Sequence, residues 1–269
     1  MMQPLSDSLQ SVERALRVVE VLVHEARPMS VREISEQIGI NRTTAHRLVA
    51  TLCASGWAER APDGRFQLSV KFLAIGHVVN HQRRFLDEIR PELVWLSQLT
   101  RETVHVGVLD RLEIVHIDKI ETLERVGVSS RIGTRGAVHS TSLGMALMAA
   151  QDEATVERYI AEAVERDPPL GLDDPDRFRA RIADAHALGF TMDDEDDSVG
   201  VRCIGVAVRG PDAQPLFAMS VTGPSPRFTR EIALQQGPEL ARSADRLSAR
   251  FGYAPLTAGE VRDATIALG

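Results

Sequence analysis

Two cysteines in 269 residues, Cys53 and Cys203, are too few for a disulfide scaffold. Both read as reduced thiols of a cytoplasmic protein. No run approaches the ~20 consecutive apolar residues that span a bilayer, so no membrane partner is expected. Met1 to Gln10 lack a basic, apolar leader, so no signal peptide is expected either. The chain shows no glycine-rich phosphate loop, no serine nucleophile elbow, no internal repeat and no low-complexity segment.

What remains is ordinary folded-protein composition, 43% hydrophobic and 26% charged. The length exceeds what most single cores need, so two domains are expected. The net charge of −7 argues against nucleic acid until its distribution is read. Residues 1–70 hold eight basic and eight acidic side chains, which leaves 23 basic and 30 acidic for the rest. Any DNA contact is therefore expected in the N-terminal part, while the bulk repels DNA weakly.

Hydrophobic spacing predicts a helix over Ser11–His24, with Val12, Ala15, Leu16, Val19, Leu22 and Val23 as its apolar stripe. A second helix begins at Ser30, which forms a capping box with Glu33 and buries Val31, Ile34 and Ile38. Gly39 supplies the turn. Asn41 caps a third helix whose stripe is Ala45, Leu48, Val49 and Leu52. Gly56 ends it, and Trp57–Arg60 and Arg65–Leu68 read as a hairpin around Ala61-Pro62-Asp63-Gly64. Val70 to Leu99 reads as two helices with a boundary near Arg90, before Pro91. Beyond Arg101 the period changes to two. Strands are expected at Thr103–Leu109, Glu113–Ile120, Val126–Ile132, Phe190–Met192, Val201–Val208 and Leu216–Thr222. A buried helix at Thr141–Ala150, amphipathic helices at Glu153–Glu165 and Asp176–Leu188, and a terminal helix at Thr229–Phe251 complete the pattern. The second part thus reads as an α+β domain with one antiparallel sheet.

Helix, glycine turn, helix and hairpin is the order of a winged helix-turn-helix. The third helix exposes Arg42, Thr43, Thr44, His46 and Arg47, with Arg47 expected opposite Leu48 and Leu52. No acid occurs between Asn41 and Gly56. Hydroxyls and amides near a helix start suit phosphates, and long cations suit phosphates or guanine edges. Arg65 in the hairpin is placed to reach a phosphate or the minor groove. The same elements also fit a plain helical core; the coincidence of both caps, the glycine turn and the acid-free helix favours DNA.

The residues resemble the IclR family. Ser11-Val12-Glu13-Arg14-Ala15-Leu16 resembles its opening helix, which adds Arg14 to the DNA-binding set. Asn41-Arg42-Thr43-Thr44-Ala45-His46-Arg47-Leu48 resembles its recognition helix. Further on, Gly133-Thr134-Arg135, His139, Thr141 and Leu143-Gly144 with Ala146 and Ala149 resemble a second family signature. Asp193, Glu195, Gly200 and Cys203 resemble an acid-rich loop leading to Gly-x-x-Cys, and Ser220, Thr222 and Gly223 resemble a later strand. The matches run in order from about Ser11 to Phe251. Ala137 and Ala207 stand where the family usually has proline.

The resemblance implies a GAF-like effector domain that binds a small organic acid through Asp193, Cys203, Ser220 and Thr222 and the amides of Ser142 and Leu143. The residues agree independently: a helix start near Thr141 suits an anion, and Ser220 and Thr222 lie two apart on one strand face. Taken singly, Cys203 fits a small buried hydrophobe, Ser220 and Thr222 fit a solvent face, and Asp193 to Asp197 fits a solvated loop. His77 and His81 have a metal-pair spacing but lack a third ligand in pattern, so neither metal nor cofactor is expected. His105 and His116 are expected to face each other on neighbouring strands.

The expected organisation is a winged helix-turn-helix domain at 1–70, a linker helix at 71–90, a GAF-like domain at 91–255 and a tail at 256–269. The expected function is a ligand-responsive regulator that reads double-stranded operator DNA as a homodimer or homotetramer. Two alternatives stand: an enzyme using Cys203 as nucleophile with His139 or His105 as base, and a ligand-free oligomerisation module.

Overall fold

A computed structural model describes residues 9–82, 85–128, 130–165 and 171–254, with 77–82 described as backbone alone. The tail expected at 256–269 lies outside the described residues. The chain divides into two compact units between Arg84 and Phe85.

The first unit runs α1 (Gln10–Glu25), α2 (Val31–Gln37), α3 (Arg42–Ala54), β1 (Ala58–Arg60), β2 (Phe66–Leu68) and α4 (Lys71–Gln82). Its core is Val18, Leu22, Met29, Ile34 and Val49. Ser30 accepts from the Glu33 amide at 3.3 Å, and the Glu33 carboxylate accepts from the Ser30 amide at 2.8 Å. Hydrogen bonds from the Ser30 amide and hydroxyl, then from Arg27, hold the Glu33 carboxyl at about 2. Gly39 has φ +68°, the turn conformation expected of it. The wing is antiparallel, and Met29 exchanges two backbone bonds with Phe66 at its edge, of 2.8 and 2.7 Å.

The α1 stripe needs correction. Val18 and Leu22 are buried, whereas Val12, Leu16 and Val23 are exposed. The helix therefore carries two apolar faces, and α2 and α3 cover one of them.

The second unit runs α5 (Phe85–Thr100), β3 (Thr103–Asp110), β4 (Glu113–Ile120), β5 (Arg135–Ala137), α6 (Ser142–Ala149), α7 (Glu153–Glu165), α8 (Pro175–Leu188), β6 (Thr191–Asp194), β7 (Val201–Arg209), β8 (Pro215–Pro224) and α9 (Arg230–Arg250). Among the described residues, six strands pair antiparallel in the order β5-β4-β3-β8-β7-β6. One sheet face presents Val104, Val106, Ile204, Val206, Met219 and Val221 to α5 and α9. The other carries α6, whose Leu143 and Met145 to Met148 belong to a second core with α7 and α8.

Two expectations fail here. Pro91 lies inside α5 rather than behind a boundary near Arg90. An interior proline costs about 3 kcal/mol, but Ile89, Leu93 and Leu96 are all buried around it, each worth roughly 1.5–3 kcal/mol, so packing prevails. No strand forms among the described residues of the expected Val126–Ile132, and Val126 and Ile132 are exposed. Side chains bond this segment where a ladder would, Arg227 donating to the Val126 carbonyl at 2.9 Å and Lys119 to that of Ser130 at 2.6 Å. Arg135–Ala137 pairs with β4 instead.

Candidate functional site

Helix α3 starts in the open. Asn41 accepts from the Thr44 amide at 2.8 Å, and the amides of Arg42 and Thr43 meet no acceptor among the described residues. Asn41, Arg42, Thr43, His46 and Arg47 are exposed and Thr44 is half-buried. No carboxylate among the described residues pairs with Arg42 or Arg47.

Arg47 is exposed, as expected, but it is not wholly apart from Leu48 and Leu52. All three line one groove of about 660 Å³ between α1 and α3, together with Arg14, Thr44, Trp57 and Phe72. Successive residues on a helix are 100° apart, so Arg47 stands on the rim that Leu48 begins. Arg65 is engaged: its guanidinium lies 3.6 Å from the Asp63 carboxylate.

In the second unit, strand register builds a polar floor. Asp193 lies opposite Cys203, Cys203 opposite Thr222, and Thr222 opposite Thr103. The next row in register is Thr191, Gly205, Ser220 and His105. Residues two apart share a face, so both rows face the side that carries α6. Asp193 stands on β6, not in the expected loop. Thr103, Thr191 and His105 were not anticipated at this floor. Their signal, a polar residue at every second place in otherwise apolar strands, becomes specific only when the pairing order is known.

Helix α6 is set down onto this floor. A Cβ at Gly205 would lie 2.5 Å from the Ser142 carbonyl, and one at Gly107 would lie 3.0 Å from the Leu143 side chain. The Thr191 hydroxyl donates to the Ser142 carbonyl at 2.8 Å. Thr141 accepts from the Gly144 amide at 3.2 Å. Ser142 and Leu143 are buried, at 3% and 2% exposure, and their amides meet no acceptor among the described residues. Cys203 keeps partial exposure on its central strand, between buried Asp193 and Thr222.

Asp193 accepts the amides of Asp196 at 2.9 Å and Asp197 at 3.3 Å on one oxygen. Burial nevertheless pushes its carboxyl up to about 6. The Cys203 thiol is driven well above its ordinary value, first by dehydration and then by Asp193. That direction disfavours the thiolate a nucleophile needs. His105 and His116 face each other as expected, with ring centroids 5.3 Å apart. Burial, with His116 and Lys119 adding to it, lowers His105 to about 3. The two bases weighed for Cys203 are engaged elsewhere, His105 with Ser130 at 2.6 Å and His139 with Tyr159 at 3.2 Å. The side chains of His77 and His81 lie outside the described residues. Arg135 clamps the β3–β4 turn through Asp110 and Glu113, at 2.7 and 3.1 Å.

Residues 11–62 match the family model described as the IclR helix-turn-helix domain. Residues 77–249 match the one described as bacterial transcriptional regulator IclR C-terminal. The chain is 29% identical over 247 residues to the HTH-type transcriptional regulator XynR of Escherichia coli (strain K12), covering 91% of this chain and 98% of that one. It is 28% identical over 250 residues to KdgR of the same organism, covering 92% and 94%. Among solved structures, the Thermotoga maritima IclR superimposes with a TM-score of 0.70 at 24% identity, covering 91% and 100%. An IclR homolog from Microbacterium hydrocarbonoxydans, complexed with 4-hydroxybenzoate, gives 0.72 at 22%, covering 90% and 100%. These relatives are regulators rather than enzymes. The chain belongs to the IclR family of DNA-binding transcriptional regulators.

Proposed function

We propose that this regulator senses a small carboxylic acid at the start of α6 and reads a two-fold operator as a homo-oligomer in the cytoplasm. The observation that carries the sensing is that the amides of the buried Ser142 and Leu143 meet no acceptor among the described residues. Unpaired buried N–H groups are costly, and a helix start favours an anion. The ligand carboxylate takes these amides, and Ser220 and Thr222 add neutral hydrogen bonds. Asp193 repels an anion when ionised, so it accepts from a ligand hydroxyl. Hydroxylated or hydrated keto acids are therefore preferred over plain fatty acids. The 4-hydroxybenzoate bound to the Microbacterium homolog supports an acid of this kind.

Operator reading falls to Arg14, Asn41, Arg42, Thr43, Thr44, His46 and Arg47. A single recognition helix gives little affinity, so paired half-sites are needed. The exposed Val12, Leu16 and Val23 of α1 and Leu73 and Ile75 of α4 give a second copy an apolar surface to meet. Dimer and tetramer are told apart by the mass of the complex in solution.

Calorimetry with a panel of hydroxy and keto acids tests the sensing. The acid that binds the wild type is expected to bind Ser220→Ala and Asp193→Ala weakly. Failure of every acid leaves a ligand-free assembly domain, and wild-type affinity in both variants moves the site elsewhere.

A further inference from the structure

The wing and the recognition helix enclose a groove of about 400 Å³, and no carboxylate lines it. His46 and Cys53 of α3 form one wall, Arg60, Gly64 and Phe66 of the wing form the other, and Ser30 closes one end. Arg60 enters this groove because strand residues alternate. Ala58 is buried beneath the wing, and Arg60, two residues on, faces the same side. Its guanidinium is steadied rather than neutralised. The Nε donates to the Gly64 carbonyl at 3.2 Å, and the group lies 5.8 Å from the Phe66 ring centre. No carboxylate among the described residues pairs with it. Its neighbour Glu59 is taken by Gln67 at 2.8 Å. Glu33, which bonds the Ser30 that lines the groove, is already held by the Ser30 amide and by Arg27, both at 2.8 Å. Burial raises the Cys53 thiol and Arg60 partly offsets it, which agrees with a guanidinium turned toward α3.

We propose that this groove seats a phosphate of the DNA backbone, held by the guanidinium of Arg60 and the imidazole of His46. A strand flanking the major groove runs along the side of a recognition helix. The groove offers it a fixed cation and a second donor on opposite walls, and contacts to phosphate set the register of the protein on the duplex. Arg60 rather than Arg65 is then the cation of the wing, because no carboxylate among the described residues pairs with Arg60, whereas Arg65 lies 3.6 Å from the Asp63 carboxylate.

The inference rests on the DNA-binding reading, and one experiment separates the two. The full chain is titrated onto a labelled duplex of mixed sequence across a salt series. Each phosphate contact adds about one to the slope of log affinity against log salt. Arg60→Gln is expected to lower the slope by about one per bound protomer, with an unchanged thermal midpoint. Arg65→Gln is expected to leave the slope unchanged. A folded Arg60→Gln with the wild-type slope overturns the proposal. So does a fall of about one in slope on Arg65→Gln, which leaves the groove intact and would make Arg65 the cation of the wing, and that arm decides even if Arg60→Gln does not fold. A wild type that fails to bind duplex DNA overturns the DNA-binding reading together with it.

Discussion

Asn41 caps α3 by accepting from the Thr44 amide at 2.8 Å, and Thr141 caps α6 by accepting from the Gly144 amide at 3.2 Å. In each helix the two amides before that bond meet no acceptor among the described residues. Neither helix contains an acid. The difference is in what surrounds them. The start of α3 is flanked by exposed Arg42, His46 and Arg47, whereas the start of α6 is buried beside Thr191, Gly205 and Cys203. Identical local chemistry thus suits a polyanion outside the protein in one unit and a small anion inside it in the other. On the proposed reading, burial rather than the cap selects the partner.

The sharpest way to break this symmetry is at the fourth residue of each motif. A Cβ on Gly144 would lie 2.4 Å from the Val138 backbone. Gly144→Val is therefore expected to destabilise the second unit by about 3 kcal/mol or more, read by thermal unfolding. The matching Thr44 of α3 already carries a side chain, and Thr44→Gly is expected to cost only about 1 kcal/mol.

Asp193 sharpens the contrast through pH. Its folded value of about 6 lies above the ordinary 3.8, so the folded state holds the proton more tightly than the unfolded one. Stability from this group is present at acid pH and is lost as pH rises from about 4 to about 6. Two pH units correspond to about 3 kcal/mol. Asp193→Asn is expected to remove that slope and to stabilise the protein at neutral pH by up to this amount. Denaturant unfolding at a series of pH values checks it, and a variant that keeps the slope assigns it to another group.

On the exposed side, Arg47→Ala is expected to weaken operator binding by ~1–3 kcal/mol if it meets a base, without loss of fold. Footprinting with unchanged affinity and sequence preference removes it from the interface. The smallest effect is expected for Asn41→Ala, about 1 kcal/mol of stability, since water satisfies the amide that loses its cap.

Local chemistry made both helix starts legible in the sequence. Ser30 with Glu33 and Asn41 carry their caps in their own side chains, and α6 starts and ends within a residue of its expected limits. What the sequence hid depends on distant partners. Val126 to Ile132 has strand composition, but Arg227 and Lys119 bond it from other elements. The exposed half of the α1 stripe looks like core because periodicity reports apolar faces without saying what covers them. Asp193 has the setting of a loop acid, and only its pairing with Cys203 puts it in the floor. Thr103 and His105 reach that floor through β8, more than a hundred residues later in the chain.

The account turns on the two amides of α6 that meet no acceptor among the described residues. Backbone amide resonances of the full chain, followed by NMR while the acid found by calorimetry is added, test it most directly. The prediction is that the Ser142 and Leu143 amides shift on adding the acid while those of Arg42 and Thr43 stay in place. Shifts at Arg42 and Thr43 with none at Ser142 and Leu143, or an acid that binds without moving either pair, would contradict it.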